Sequence, residues 1–221
     1  MTFNLEKSST KLLVLLLFTD LIFVFLHVFY NIHLLRDPLF SMTKDGGYAE
    51  MYQYIKEYWI VLLLGIMAIK NSKMIYFTWS ALFAYLLIDD SLRVHEQFGN
   101  FVVEYFGFQP AFGLRAQDFA ELSVSMFFGA LLFLSIGGAY YLSDNKAKEI
   151  SKHLVILIGV LVFFGVFVDM LHSMIPWGRR IFAMIEDGGE MLAMSLIVWY
   201  VFGLDLIQRE PELQENHQTE S

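Results

Sequence analysis

The segment "MIYFTWSALFAYLLIDDSLRVHEQFG", residues 74–99, decides the fold class because it joins an apolar run to a group of ionisable side chains. The run before Asp89 is uncharged, and as a helix it extends about 22 Å. The hydrocarbon core of a bilayer is about 30 Å thick, so a spanning helix needs roughly 20 residues. A helix that crosses the membrane here must therefore include some of the charged residues that follow Ile88.

The composition of the chain extends this interpretation to the whole protein. Of 221 residues, 57% are hydrophobic and only 17% are charged, whereas an ordinary soluble domain has roughly 25% charged residues. These values predict an all-α, polytopic membrane protein. The net charge of −8 argues against nucleic acid as a partner. The absence of cysteine excludes disulfides and thiolate metal sites.

Six apolar segments predict a bundle of six transmembrane helices, which forms a single domain over residues 1–207. The predicted spans are 11–35, 51–70, 73–98, 115–142, 151–174 and 179–207. The polar segment 208–221 is predicted to be a disordered tail. An excess of lysine on the side of the termini predicts an integral plasma (inner) membrane protein with both termini in the cytoplasm.

Acidic side chains of four predicted spans meet near one membrane face, because consecutive spans run in opposite directions. The third span ends with its charges, the fourth begins with "RAQDFAE", the fifth ends with "DMLH", and the sixth begins with "RRIFAMIEDGGE". Charges are costly in lipid, so these side chains should face each other or water. The carboxylates concerned are Asp89, Asp90, Glu96, Asp118, Glu121, Asp169, Glu186, Asp187 and Glu190.

Carboxylates held together in a low dielectric either take up protons or recruit a cation, and a mixture with histidine favours Zn, Fe or Mn. The Asp-x-x-His of the fifth span has the helical spacing of a bundle metal site, although the ferritin-like Glu-x-x-His is absent. We therefore predict one or two divalent metal ions near the extracytoplasmic face. The predicted ligands are Glu96, Glu121, Asp169, His172, Glu186 and Glu190. Residues predicted to support these ligands are Asp89, Arg93, Asp118, Asp187, His27 and His95.

Helical spacing makes two local predictions for the third span. Asp89, Arg93 and Glu96 should share one face of a helix, and Asp90 and His95 should point away from it. The aromatic segment 98–114 is predicted to be a short interfacial helix or a re-entrant segment above the site. In the sixth span the pair Gly188-Gly189 would let a ligand or a neighbouring helix approach closely.

The leading functional hypothesis is a membrane-embedded metalloprotein that acts on a lipid or other apolar substrate, as a metal-dependent hydrolase or oxidoreductase. One alternative is a proton or cation transporter that uses the same carboxylates. The inner halves of the third to sixth spans weigh against transport, because they contain almost no ionisable groups. The other alternative is a non-catalytic membrane protein whose charges form a structural cluster of ion pairs.

Overall fold

The computed structural model describes the backbone of residues 2–110, 114–174 and 179–219, and the side chains of residues 8–110, 114–171 and 181–204. This part of the chain is helical and contains no β-strand. The elements are α1 Thr2–Asn31, a 3-10 helix Pro38–Phe40, α2 Tyr48–Asn71, α3 Met74–Leu92, α4 Val94–Phe106, α5 Ala116–Tyr141, α6 Asn145–Val162, a π-helix Phe163–Val168, α7 Asp169–Met174 and α8 Arg179–Thr219.

Three helical segments are long and apolar enough to cross a membrane by themselves: Ser8–Asn31, Ala116–Tyr141 and Asn145–Leu171. The chain is therefore an all-helical membrane protein. Charge sets the other helices apart, since α2 carries Lys56 and Glu57 near its middle and α3 carries Asp89 and Asp90 near its end.

The helices pack around α8, which contacts α1, α2, α6, α7 and the π-helix. The helix α2 pairs with α3, and α5 packs on both α3 and α4. Leu64, Trp79 and Ile197 are fully buried where α2, α3 and α8 meet. The indole of Trp79 donates a hydrogen bond of 2.8 Å to the hydroxyl of Ser151, which ties α3 to α6.

The predicted third span, 73–98, consists of two helices. Arg93 has a left-handed backbone, with φ of 52°, and separates α3 from α4. The prediction that Asp89, Arg93 and Glu96 share one face of a helix is wrong, because the chain changes direction between them. The helix α4 has 13 residues and packs on α5, where a Cβ on Gly99 would lie 2.8 Å from the Cγ of Glu121.

The start of α6 is fixed by Asp144. Its carboxylate accepts a hydrogen bond of 3.0 Å from the backbone amide of Ala147, and one of 2.8 Å from the ammonium of Lys73. These donors, Lys73 first, hold the pKa of the Asp144 carboxyl below its usual value. The cap lets the helix begin at Asn145, six residues before the predicted start of the fifth span.

The structure continues α8 to Thr219, into the segment that the sequence predicts as a disordered tail. The segment contains four glutamates and three glutamines, and both residue types have high helix propensity. This composition favours the helix that the structure shows here, although the polar character of the segment predicted disorder.

Candidate functional site

A cavity of about 1000 Å³ lies between α2, α3, α4, α5, α6, the π-helix, α7 and α8. Acidic residues from six of these elements line it, together with Asp45 from the loop before α2. The acidic residues of its wall are Asp45, Glu50, Glu57, Asp89, Asp90, Glu96, Asp118, Glu121, Asp169, Glu186, Asp187 and Glu190. Its apolar wall includes Leu82, Leu86, Gly129, Phe133, Ile158 and Leu161.

The two kinds of wall residue occupy different ends of the cavity. Along α3, Leu82 and Leu86 precede the acids by one to two turns, and along α5 Gly129 and Phe133 follow the acids by two to three turns. Because α3 and α5 run in opposite directions, these apolar residues lie at the same depth. The cavity is therefore acidic at one end and apolar at the other.

Of the predicted site residues whose side chains are described, all except His27 lie on the cavity wall. The side chain of His172 lies outside the described residues. His27 is buried away from the wall, where its Nδ1 accepts a hydrogen bond of 3.1 Å from the backbone amide of Met42. Its Nε2 lies 2.8 Å from the Asn31 side chain. In this structure His27 thus fixes the loop after α1 and supports none of the predicted ligands.

Asp89 and His95 are in direct contact, contrary to the prediction that His95 points away from the Asp89 face. The carboxylate of Asp89 accepts a hydrogen bond of 2.8 Å from the backbone amide of His95. The His95 ring Nδ1 lies 3.2 Å from the same oxygen, although not in hydrogen-bond geometry. The Asp89 carboxylate raises the pKa of His95, which lies on α4 beyond the end of α3. The break at Arg93 turns the chain back and creates this contact.

Three further wall residues have ion-pair or hydrogen-bond partners. Arg93 pairs with Asp45 at 3.3 Å, and Asp118 pairs with Arg115 at 2.6 Å. Glu121 accepts a hydrogen bond of 2.7 Å from Gln117. These contacts hold the loop after α1 and the start of α5 at the acidic end.

The π-helix makes room for Glu190. A Cβ on Gly165 would overlap the carboxylate of Glu190, so the glycine lets this carboxylate lie against the π-helix where it passes α8. A Cβ on Gly189 would likewise overlap the ring of Phe164. The close approach predicted for the Gly188-Gly189 pair therefore falls at Gly189 and involves a neighbouring helix. Single-turn π-helices occur frequently at functional sites.

A second polar cluster joins α1, α2 and α8. The Lys56 ammonium lies 3.2 Å from Asp20, and it donates hydrogen bonds of 2.7 Å to the Met191 carbonyl and 3.2 Å to Ser195. Ser195 donates a hydrogen bond of 2.6 Å to Asp20. Each of these three side chains is buried and has polar partners. The cluster therefore holds the three helices together and leaves no group directed toward a ligand.

The sequence interpretation missed the contribution of α2 to the cavity. Gln53, Tyr54 and Glu57 lie on its wall, together with Glu50. The Tyr54 hydroxyl is 2.5 Å from Glu50 and 3.0 Å from the carbonyl of Asp90. Glu50, Tyr54 and Glu57 are spaced four and three residues apart, which places them on one helix face. That spacing in "YAEMYQYIKEYW" was the signal that could have found this polar stripe.

Neither oxygen of the Glu57 carboxylate has a hydrogen-bond partner among the described residues, and the side chain is fully buried. The amide oxygen of Gln53, one turn earlier, also has none. The neighbouring group is the Asp90 carboxyl, and Glu190 is also within electrostatic range. A hydrogen bond between the Glu57 and Asp90 carboxyls requires a proton on one of them. When both are ionised they only accept hydrogen bonds, so neither can satisfy the other.

The predicted metal ligands do not converge on one point in the described part of the chain. No three histidine, aspartate or glutamate side chains there are placed to hold a metal ion. The donor atoms of Zn²⁺ and similar ions lie about 2.0–2.2 Å from the metal, and the described side chains do not surround a common point in this way. The predicted contribution of His172 lies outside the described side chains, so the metal site stays a prediction.

Comparisons with known proteins place the chain in a family. No curated protein and no solved structure matches it. The family described as "Domain of unknown function (DUF8692)" matches residues 11–206, which include the described cavity wall. Because this match covers most of the chain, the protein belongs to the DUF8692 family.

Proposed function

We propose that this protein takes a lipid-like amphiphile from the bilayer into the cavity and acts on the polar group of that molecule. One observation carries the proposal: a cavity of about 1000 Å³ is acidic at one end and apolar at the other. An amphiphile matches both ends at once, since its chain replaces lipid contacts with Leu86, Phe133 and Leu161 while its polar group reaches the acids. Carboxylates and His95 would supply groups for acid–base catalysis there.

The helix packing supports entry from the membrane. The helices α5 and α6 make few contacts with each other, although both contribute apolar residues to the cavity wall. Met126, Phe127 and Leu131 on α5 and Val155 and Ile156 on α6 are exposed, as expected for side chains that face lipid. An alkyl chain could pass between these helices without crossing the polar membrane surface.

The proposal includes six spans with both termini in the cytoplasm. The helices α2, α3 and α8 would cross the membrane beside the three more apolar spans. The surface of α2 supports a membrane crossing because its charged and apolar residues lie on different sides. Glu57 faces the cavity, and Lys56 faces α1 and α8. The exposed residues Trp59, Leu62 and Ile66 are apolar. Such a division is expected of a helix whose charges are turned away from lipid.

Transport of a proton or cation has weaker support. An apolar core that includes Leu64, Trp79 and Ile197 separates the cavity from the side of the termini. A path for ions would need polar groups or water through this layer. The amphiphile proposal requires no such path.

Blocking the apolar end tests the proposal. Gly129 lines the cavity, and a Cβ there would meet open space, so leucine in its place would fill the volume of the alkyl chain. We expect Gly129→Leu to reduce labelling by a photoactivatable hexadecanol at least tenfold, or about 1.4 kcal/mol. The measurement is mass spectrometry of the purified protein after irradiation in maltoside micelles.

Gly137→Leu is the matched control for this experiment. Gly137 lies on the same helix, also has open space around its Cα, and is not on the cavity wall. The two variants gain similar helix propensity, so a difference in labelling reports the cavity alone. Equal labelling of the wild type and both variants would show that the alkyl chain does not occupy this volume, and the proposal would be wrong.

The metal site predicted from the sequence is tested separately by elemental analysis. Stoichiometric Zn, Fe or Mn that is lost in Glu190→Gln and retained in Glu104→Gln would support it, because Glu104 is an exposed residue of α4 away from the cavity wall. Such a result would mean that carboxylates on the wall move closer together when the ion binds. A trace amount of metal that is the same in all three proteins would contradict the prediction.

A further inference from the structure

Buried hydrogen-bond acceptors without donors at the acidic end of the cavity indicate which polar group of the amphiphile binds there. The unsatisfied atoms in the wall on α2 are acceptors: both oxygens of Glu57 and the amide oxygen of Gln53. A buried acceptor without a donor costs about 1–3 kcal/mol, and more if it is charged. A ligand that fits this wall should therefore bring hydrogen-bond donors.

The charge of the surroundings indicates that the donor is a cation. The carboxyl groups of Asp90 and Glu190 lie within electrostatic range of Glu57, and each adds negative charge when it is ionised. The nearby positive groups are committed elsewhere, since Lys56 is bound to Asp20, Met191 and Ser195, and His95 lies against Asp89. Carboxylates in such a site recruit a cation or share protons.

The spacing of the acids favours a large cation over a small one. The described carboxylates are close enough to influence one another but do not converge as metal ligands. An ammonium group donates hydrogen bonds to acceptors at about 2.7–2.9 Å, so it suits carboxylates that are spread further apart than the ligands of a metal ion. Tyr54 and Tyr85 also lie on the wall, and an aromatic face attracts an ammonium ion.

We propose that the amphiphile carries a protonated primary amine and that Glu57 is the counter-ion of this amine. This inference rests on the proposed function, because it names the polar group of the ligand whose chain fills the apolar end. An alkylammonium group would donate to Glu57 and Gln53 and would be balanced by the charges of Asp90 and Glu190. A primary alkylamine is protonated at neutral pH for the same reason that lysine is.

The experiment compares two photoactivatable probes with the same chain, hexadecylamine and hexadecanol, on the full-length protein in maltoside micelles at pH 7. We expect the wild type to bind the amine at least tenfold more tightly than the alcohol, which is about 1.4 kcal/mol. Glu57→Gln keeps the size of the side chain and removes its charge. This variant should lose most of the preference for the amine while its affinity for the alcohol stays the same.

Two further variants make the result decisive. Glu104→Gln removes a carboxylate from the exposed face of α4, so it should keep the full preference for the amine. Asp90→Asn is the second test of the site, which matters if Glu57→Gln fails to fold. It should also weaken binding of the amine, because Asp90 adjoins the Glu57 carboxylate. A preference for the amine that survives in both cavity variants would overturn the assignment of the counter-ion.

The outcomes separate this inference from the proposed function. Equal affinity of the wild type for the two probes, with labelling that Gly129→Leu still abolishes, would overturn the amine and leave the amphiphile cavity supported. No labelling by either probe would contradict the proposed function itself. Displacement of the amine by Zn²⁺ or Mn²⁺ at stoichiometric concentration would identify a metal ion as the occupant, and the amine would be wrong.

Discussion

Replacing Lys56 by methionine is expected to lower the free energy of unfolding by about 3–5 kcal/mol, because it leaves Asp20 as a buried charge without its cation. Lys56 is fully buried and also binds the Met191 carbonyl and Ser195, so the substitution disconnects α2 from both α1 and α8. For a chain of this size, the loss corresponds to a fall in melting temperature on the order of 10 °C. Thermal unfolding in maltoside micelles measures it.

The controls for Lys56→Met separate the loss of a buried charge from the loss of any lysine. Lys70→Met changes an exposed lysine in the last turn of the same helix, and we expect it to shift the free energy by less than about 1 kcal/mol. The double variant Lys56→Met with Asp20→Asn removes both charges and should recover much of the lost stability. A double variant as unstable as Lys56→Met alone would show that the pair is not what joins the helices.

Replacing Gly189 by alanine is the second substitution with a large expected effect. The added Cβ would overlap the ring of Phe164, so this ring or the π-helix that carries it would have to shift. Overpacking of this kind costs about 1–3 kcal/mol. We also expect weaker labelling by the photoactivatable hexadecanol. A shift of the π-helix would displace Gly165, which packs against the Glu190 carboxylate on the cavity wall.

Gly188→Ala provides the matched control on the adjacent residue. A Cβ on Gly188 would make an ordinary contact of 3.7 Å with Met42, so alanine there should be neutral or stabilise the helix by up to about 1 kcal/mol. Combining Gly189→Ala with Phe164→Leu should restore part of the lost stability, because the ring is the obstacle. Equal melting temperatures for Gly188→Ala and Gly189→Ala would contradict the close packing at this point.

The sequence predicted some features of the site because they depend only on helix direction. Asp118 and Glu121 begin one helix, and Asp169 ends the next apolar run, so alternation alone places them at one depth. Composition was likewise sufficient for an all-helical membrane protein. Alternation cannot show which side chains touch, and Asp20 therefore had no visible partner until Lys56 was found beside it.

The local errors share one physical cause. A continuous helix through Arg93 would separate His95 from Asp89, but the left-handed backbone at Arg93 brings them into contact. An arginine in this conformation carries no sequence signal, because the left-handed region favours glycine or asparagine. The packing of α4 on α5 fixes that turn, and this packing involves residues distant in the sequence.

The sequence by itself determined the helical membrane fold and the excess of acids near one end of the bundle, since both follow from apolar length and from alternating helix direction. Only the tertiary structure decided that α2 contributes Glu57 to the cavity, that Lys56 and Asp20 neutralise each other, and that Gly165 makes room for Glu190. These outcomes depend on contacts between helices, and a helix has the same periodicity whichever neighbour its polar face meets.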